Sequence, residues 1–411
     1  MTDHCNSNSL ISINEALKNI YHTLSGIAGE ETVNLHTALD RVLAENCFAP
    51  FDLPAFPNSS MDGYAFNSAD IQTSGFDLIQ SGTSWAGRPF DGEISPGQCV
   101  RIFTGAVMPK GADSVIMQEQ LKVSDKVIHF PDNTQAQQNV RYIGEDVRQQ
   151  DCLLAAPKQL TAVDLGLLAS AGLYELRVKR KIRIAFFSTG DELRAIGKPL
   201  AEGQIYDSNR YLLTALLTDP CYEVTDLGVM IDDKAQIRQC LLAAAVNHDV
   251  IISTGGASVG DADYIKEILD EIGQVNFWKL AIKPGKPLAF GRIQQCYFFG
   301  LPGNPVSVLA TYQQIVTPAL RQLTGLTNST PLRFKALCKS QLFKQAGRQE
   351  FQRGIVSQTA SGEFEVISSG KQGSNILSAS SRANCYIVLP REQGNVEIGE
   401  QVLVEPFSLF L

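Results

Sequence analysis

What this chain lacks narrows the field before any motif is read. Its 411 residues hold nine cysteines, at positions 5, 47, 99, 152, 221, 240, 296, 338 and 385, and these are scattered, odd in number and never spaced C-x-x-C. Neither a disulfide framework nor a zinc site is expected. The five histidines are equally dispersed. Long hydrophobic runs are missing too: LLAAAV at 241–246 is far too short to cross a bilayer, and MTDHCNSNSL carries no basic stretch followed by an apolar one. No membrane partner is expected, and the cytoplasm is the expected compartment. Charge comes in no blocks. Lys and Arg number 35 against 43 Asp and Glu, for a net charge of −8 with the signs interspersed, which argues against a general nucleic-acid surface.

What is present is a globular composition, with 44% apolar and 19% charged residues and no low-complexity block. A length of 411 residues predicts two to four domains at roughly 150 residues each. Ser12 and Glu15 form an S-x-x-E capping box, and Ile13, Leu17, Ile20, Leu24 and Ile27 follow at helical spacing, so an amphipathic helix of about four turns is predicted. From about 47 to 147, short runs such as VRIF and SVIM alternate with PG, KG and DG turns, which reads as β-rich structure. A helical stretch, TAVDLGLLASAG, comes next.

After RVKRK the rhythm becomes strand, loop, helix. IRIAFFS, EVTDLGV, DVIIST, VNFWKLA and CYFFG read as strands, and NRYLLTALLTD, KAQIRQCLLAAAV, YIKEILDEIG and PVSVLATYQQIVTPALRQL as helices. Parallel neighbours need crossover connections, so residues 181–329 predict a doubly wound, largely parallel α/β domain. From 330 to 411 the runs RFKALCK, FQRGIVS, FEVIS, CYIVLP and QVLVEPF predict a small β-barrel or sandwich.

Ligands of open α/β sheets bind beyond the carboxyl ends of the strands, and those positions are rich in chemistry here. The first strand runs into STGDEL with Glu192, and a later segment places Asp207, Ser208 and Asn209 before a helix. The third runs into GGASVGDADY with Gly255, Gly256, Ser258, Gly260 and Asp263; the fourth into Lys279, Lys283 and Lys286; the fifth into LPGNPVS with Pro302 and Pro305. Glycine-rich turns and helix N-termini present N–H groups to a phosphate, and lysines add point charges. Carboxylates in such a place make sense if the anion arrives with Mg²⁺, a hard cation that takes carboxylate oxygens. Glu192, Asp232 and Asp263 are the candidate metal ligands. Each has a plainer reading as a helix-dipole partner, and Asp207 with Ser208 as a helix cap. Two further acidic stretches stand apart: PAFPNSSMDGYAF (54–66) with Asp62, and RYIGEDV (141–147) with Arg141 and Asp146. Composition leaves both open between ordered turn and active-site loop.

P-x-F-x-x-S-x-M-D-G-Y-A from Pro54 to Ala65, STGDEL, G-x-x-x-D-S-N, GG-x-S-x-G-x-x-D, KPGKP and LPGNPVS, in that order, resemble the molybdopterin molybdenumtransferase family, that is, the MoeA proteins and the related E domain of gephyrin. The likeness spans nearly the whole chain. It implies an elongated subunit with a helical dimerisation segment (8–48 and 148–180), an inserted β-rich domain carrying MDGYA (49–147), a molybdopterin-binding α/β domain (181–329) and a C-terminal β-barrel (330–411). It further implies a homodimer whose cleft joins the α/β domain of one subunit to the MDGYA domain of the other.

The reaction implied is Mg²⁺-dependent insertion of molybdate into the dithiolene of adenylylated molybdopterin, with release of AMP. On this resemblance Glu192, Asp232 and Asp263 hold metal and phosphate, Gly255, Gly256, Ser258 and Gly260 cradle the pterin phosphate, and Lys279, Lys283 and Lys286 face the diphosphate. Asp62, Thr104, Arg141 and Asp146 complete the site, while Arg353 in FQRG and Ser374 in QGSN resemble positions that face an oxyanion. Other cofactor-biosynthesis proteins and recipient molybdoenzymes are the implied further partners. Two rival readings remain: adenylylation of molybdopterin by ATP, and a scaffold module like the gephyrin E domain. Ala257, where a larger apolar residue is common, is the small departure from the pattern.

Overall fold

The computed structural model describes residues 10–72, 74–230, 233–255, 264–326 and 330–408. The chain divides into two compact units, one of residues 33–39 and 45–176, the other of residues 1–32, 40–44 and 177–411. Helix α1 (Ile13–Thr23) opens the larger unit. Ser12 caps it by accepting from the Glu15 amide at 3.2 Å. The helix has 11 residues, about three turns rather than four. It stops at Leu24 because the Ser25 amide donates to the Tyr297 hydroxyl at 2.8 Å instead of continuing the helical ladder. Ile27 therefore packs on the core from beyond the helix.

The smaller unit is built on strands β1 (Gly63–Phe66), β2 (Phe76–Ser84), β3 (Gln98–Ile102), β4 (Ser114–Met117), β5 (Lys122–Ser124) and β6 (Val127–Phe130). They lie in the order β4-β1-β3-β2-β6-β5. Phe66, Phe76 and Phe130 pack together at its centre, with the last two stacked at 4.9 Å between ring centroids. Helix α2 (Ala162–Ser170) begins with a full capping box, in which Thr161 and Asp164 satisfy each other's amides.

In the larger unit, β7 (Ile182–Thr189), α3 (Ser208–Leu216), β8 (Tyr222–Met230), α4 (Lys234–Asn247), β9 (Val250–Thr254), α5 (Tyr264–Ile272) and β10 (Gly273–Lys279) alternate as the sequence predicts. A short strand β11 (Ile282–Lys283) precedes β12 (Pro287–Ile293) and β13 (Cys296–Leu301). The main sheet has the order β8-β7-β9-β13-β12-β10. Strands β8, β7, β9 and β13 pair in parallel. β12 is antiparallel to both of its neighbours, so β10 runs in the same direction as the other strands. The sequence reading left PLAFGRI unassigned; it is the one reversed strand in this sheet. Because β10 keeps the common direction, Lys279 at its end still falls on the ligand-binding edge.

Helices α1 and α3 pack on one face of the sheet around Ile184, Phe186, Ile252 and Phe299, whereas α4 and α5 pack on the other around Phe187, Ile251 and Phe298. The helix predicted from PVSVLATYQQIVTPALRQL is three pieces. They are α6 (Pro305–Thr311), a π turn (Tyr312–Val316) and α7 (Thr317–Leu323). Pro318 has no N–H and its ring crowds the preceding turn, which the wider π turn absorbs.

The five C-terminal runs form β14 (Phe334–Cys338), β15 (Gln349–Gln358), β16 (Phe364–Ser368), β17 (Cys385–Leu389) and β18 (Gln401–Pro406). The order β15-β16-β14-β18-β17 closes through β15–β17 pairing into a five-stranded barrel, with β11 added in parallel to β15. Phe351, Tyr386 and Val388 of the barrel belong to the same core as α1 and the α/β sheet. No helix among the described residues is long and apolar enough to cross a membrane.

Candidate functional site

At the carboxyl edge of the α/β sheet the strand ends are drawn close together. Gly255, at φ +84°, lies where a β-carbon would meet the Thr189 carbonyl and hydroxyl oxygens at 2.7 Å, so only glycine lets the turn after β9 approach β7. The Thr254 hydroxyl donates to the Ser188 hydroxyl at 3.0 Å across the same pair of strands. Glu192 is exposed, and its carboxylate folds back over Gly190. Asp207 caps α3 by accepting from the Arg210 amide at 3.1 Å. Ser208 is the first residue of that helix, and the Asn209 amide donates to the Gly303 carbonyl at 2.7 Å, fixing the LPGNP turn. These two act on the cleft wall from behind it: Asp207 is 3% and Asn209 7% exposed. Asp207 Oδ2 and Asn209 Oδ1 have no hydrogen-bond partner among the described residues.

In front of this wall lies a cleft of about 530 Å³. Gly255, Lys283, Lys286, Pro302, Gly303, Ser307 and Asn304 line it from the α/β domain, and Arg348, Gln372, Gly373 and Ser374 from the barrel. Pro305 starts α6 directly behind Asn304. Gly285, at φ +100°, packs so tightly on α6 that a β-carbon there would lie 2.5 Å from the Thr311 hydroxyl. That contact presses the lysine-bearing loop onto the helix. Lys279 pairs in register with Pro287 at the foot of the loop. Three basic residues, Lys283, Lys286 and Arg348, thus share one concave surface with four glycines, a setting suited to a multiply charged oxyanion.

Sequence reasoning placed Gly255, Lys283, Lys286, Pro302 and Ser374 in this cleft. It missed Arg348, Gln372 and Ser307. Arg348 stands just ahead of a buried strand, with no motif around it, and only the folding of β15 beside β11 brings it to the edge. Arg353, which the resemblance set facing an oxyanion, is not among the residues that line this cleft. It is 1% exposed, and its Nη2 donates to the Gly373 carbonyl at 3.0 Å and the Lys371 carbonyl at 3.3 Å. Its guanidinium therefore shapes the turn that carries Ser374, while its buried Nε has no hydrogen-bond partner among the described residues. Asp232, Gly256, Ser258, Gly260 and Asp263 lie outside the described residues. Among the described residues no three of His, Cys, Asp or Glu gather in a metal-binding group.

The smaller unit carries a second cluster. Asp62 Oδ1 accepts from the Thr104 amide at 2.8 Å and from its hydroxyl at 2.9 Å. These bonds, the amide's foremost, hold the Asp62 carboxyl below the usual carboxylate range, with help from the charge of Arg101. Arg101 lies over the rings of Phe103 and Tyr64 at 4.7 Å and 5.2 Å, and Phe103 stacks on Trp85 at 4.1 Å. Arg141 pairs with Asn58 across a short ladder, and the Asp146 amide donates to the Leu53 carbonyl at 3.0 Å. RYIGEDV and PAFPNSSMDGYAF are therefore one surface, with Arg141 and Asp146 exposed.

A doubly wound sheet with a cationic cleft at its carboxyl edge, walled on one side by a fused barrel, defines a multidomain α/β protein. Comparison with known proteins is specific. Residues 11–172 match the MoeA N-terminal region (domain I and II), residues 185–322 a probable molybdopterin binding domain, and residues 335–407 the MoeA C-terminal region (domain IV). The molybdopterin molybdenumtransferase of Haemophilus influenzae is 44% identical over 98% of this chain and 100% of its own length. That of a Nostoc species is 33% identical over 94% of this chain and 91% of its own. The crystal structure of the molybdopterin biosynthesis moeA protein from Pyrococcus horikoshii OT3 superposes with a TM-score of 0.84 at 29% identity, covering 97% of this chain and 100% of that one. The chain belongs to the molybdopterin molybdenumtransferase (MoeA) family.

Proposed function

We propose that this protein inserts molybdenum, delivered as molybdate, into the dithiolene of adenylylated molybdopterin, with Mg²⁺-dependent release of AMP. The observation that carries the reading is the cleft in which Lys283, Lys286 and Arg348 face one concave surface lined by the Gly255, Gly303 and Gly373 turns. Breaking a phosphoanhydride requires that developing negative charge be met by fixed donors and cations, and positioning alone supplies much of the acceleration. No protein nucleophile is needed. Lys279, Lys283 and Lys286 meet the substrate's oxyanions, the glycine turns supply N–H donors, and Ser374 and Arg348 bound the same space from the barrel.

The Mg²⁺ ion fits this edge by donor chemistry. Glu192 offers an exposed carboxylate, a hard oxygen donor of the kind the ion takes. Glu192, with Asp232 and Asp263, would hold the ion, which when bound offsets phosphate charge. Asp62, held ionised by Thr104, together with Arg141 and Asp146, serves the dithiolene end. The working form is a cytoplasmic homodimer in which that cluster acts with the cleft of the other subunit.

Incubation with adenylylated molybdopterin, molybdate and Mg²⁺ tests this directly. We expect molybdenum cofactor and AMP in equal amounts. Mixing inactive Asp62→Asn and Lys283→Ala proteins, allowing exchange, should restore about a quarter of the activity, because half of the mixed dimers' sites draw both intact parts from different chains. AMP transfer from ATP onto the pterin without consumption of molybdate would replace this reading by the adenylyltransferase one. A lack of restoration would remove the shared site.

A further inference from the structure

We propose that Glu350, a buried barrel residue that does not line the cleft, is a positioning residue for oxyanion recognition, holding Lys283 in its ligand-ready placement. The inference rests on the oxyanion role of the cleft argued above and assigns part of that role to the C-terminal barrel.

The lysine and the glutamate meet by ladder geometry rather than by chance reach. Lys283 and Glu350 are register partners in the parallel β11–β15 pairing, and the Gln349 amide donates to the Ala281 carbonyl at 2.8 Å just before them. Partners on adjacent strands project their side chains to the same face. The Lys283 ammonium lies 3.2 Å from Glu350 Oε1, with the lysine side chain 45% exposed and the glutamate 4%. One end of the pair is therefore fixed in the protein and the other reaches the cleft.

The carboxylate is itself anchored. Its second oxygen accepts from Gln352 Nε2 at 2.9 Å, and the same amide nitrogen donates to the Phe343 carbonyl at 3.0 Å. Lys344, 5% exposed, lies within the electrostatic reach of Glu350 and is tied by its ammonium to the Gln393 carbonyl at 2.7 Å. A buried carboxylate with a hydrogen-bonded amide and a neighbouring cation has little freedom to move.

An ammonium group has three donors, and the bond to Glu350 occupies one of them. Among the described residues the other two have no partner, which leaves them for a ligand. A free lysine loses its rotamer freedom when an anion binds; one already held by a fixed carboxylate loses less, so binding tightens without a new contact to the ligand. An ordinary half-exposed ion pair would add little and act independently of the ligand. The difference between the two is energetic coupling between Glu350 and Lys283 in anion affinity.

Calorimetric titration of the full-length protein with molybdate, and separately with AMP, measures that coupling in a cycle of wild type, Glu350→Gln, Lys283→Ala and the double variant. Glu350→Gln should weaken whichever anion Lys283 meets by about 5–20-fold, and Glu350→Asp should recover part of the loss. In the Lys283→Ala background the same change should alter Kd by less than about twofold. The anion affected identifies the source of the oxyanion, molybdate or the phosphate of the nucleotide. Equal losses in both backgrounds, or unchanged Kd for both anions in folded Glu350→Gln, would overturn the positioning role. Unchanged binding of both anions in Lys283→Ala would instead overturn the oxyanion role of Lys283, a distinct result. Should Glu350→Gln not fold, Gln352→Met carries the cycle: it leaves the carboxylate charged but less held, with an expected loss of about two- to fivefold that disappears without Lys283. A loss that persists without Lys283 would overturn the proposal.

Discussion

Asp62 accepts two hydrogen bonds from a single residue, Thr104, and both favour its ionised form. A carboxyl whose folded pKa is depressed contributes stability that is present above its ordinary value of 3.8 and is lost as pH falls through the lowered folded value. Thr104→Val keeps the amide donor and removes the hydroxyl. The folded pKa then rises toward 3.8, and acid unfolding of the smaller unit should begin at higher pH. Trp85, stacked on the neighbouring Phe103, reports this by fluorescence once Trp278 is replaced by Phe. An unshifted acid midpoint would show that the hydroxyl contributes nothing to the ionised state. The sequence places Asp62 and Thr104 in one site only through family likeness, since a separation of 42 positions hides a bond that the β1–β3 pairing creates.

Strand β1 explains why MDGYA needs its glycine. It runs between β3 and β4, and a β-carbon on Gly63 would sit 1.9 Å from the Ile116 carbonyl oxygen of β4. The obstacle is backbone in a hydrogen-bonded ladder, which cannot yield as a flexible side chain would. Gly63→Ala should destabilise the smaller unit by about 2–4 kcal/mol, read as a lower urea midpoint at Trp85. A midpoint equal to that of the wild type would mean the strands can separate freely.

Elements of this kind were partly legible. IRIAFFS, DVIIST and CYFFG read as strands because each is a short apolar run buried on both faces, and all five barrel strands were visible through their alternation and turns. PLAFGRI escaped because its reversed direction follows from the tight β12–β13 connection at Gln294, a left-handed residue at φ 55°, and not from its composition. The π turn before Pro318 escaped because a proline can end, kink or merely widen a helix, and packing of Ile315 and Val316 into the core selects the last.

Across the molecule, the cleft depends on a joint that no local pattern announces. The α/β sheet and the barrel share a hydrophobic core through Phe351, Tyr386 and Val388, and β11 hydrogen-bonds to β15. That joint brings Arg348, Gln372 and Ser374 opposite Lys283 and Lys286. Motifs at strand ends revealed the α/β half of the site, since ligand position follows from sheet topology. The barrel half was legible only as resemblance for Ser374, and not at all for Arg348, because contacts between layers far apart in sequence depend on long-range packing.

The central claim is that this two-walled cleft receives the oxyanions of molybdenum transfer. Crystals soaked in molybdate and measured at the molybdenum absorption edge test it most directly. An anomalous peak is expected within the space bounded by Lys283, Lys286, Arg348 and Ser374, weakened or abolished in Lys283→Ala. A strong peak elsewhere, with that cleft empty at saturating molybdate and with adenylylated molybdopterin present, would contradict it.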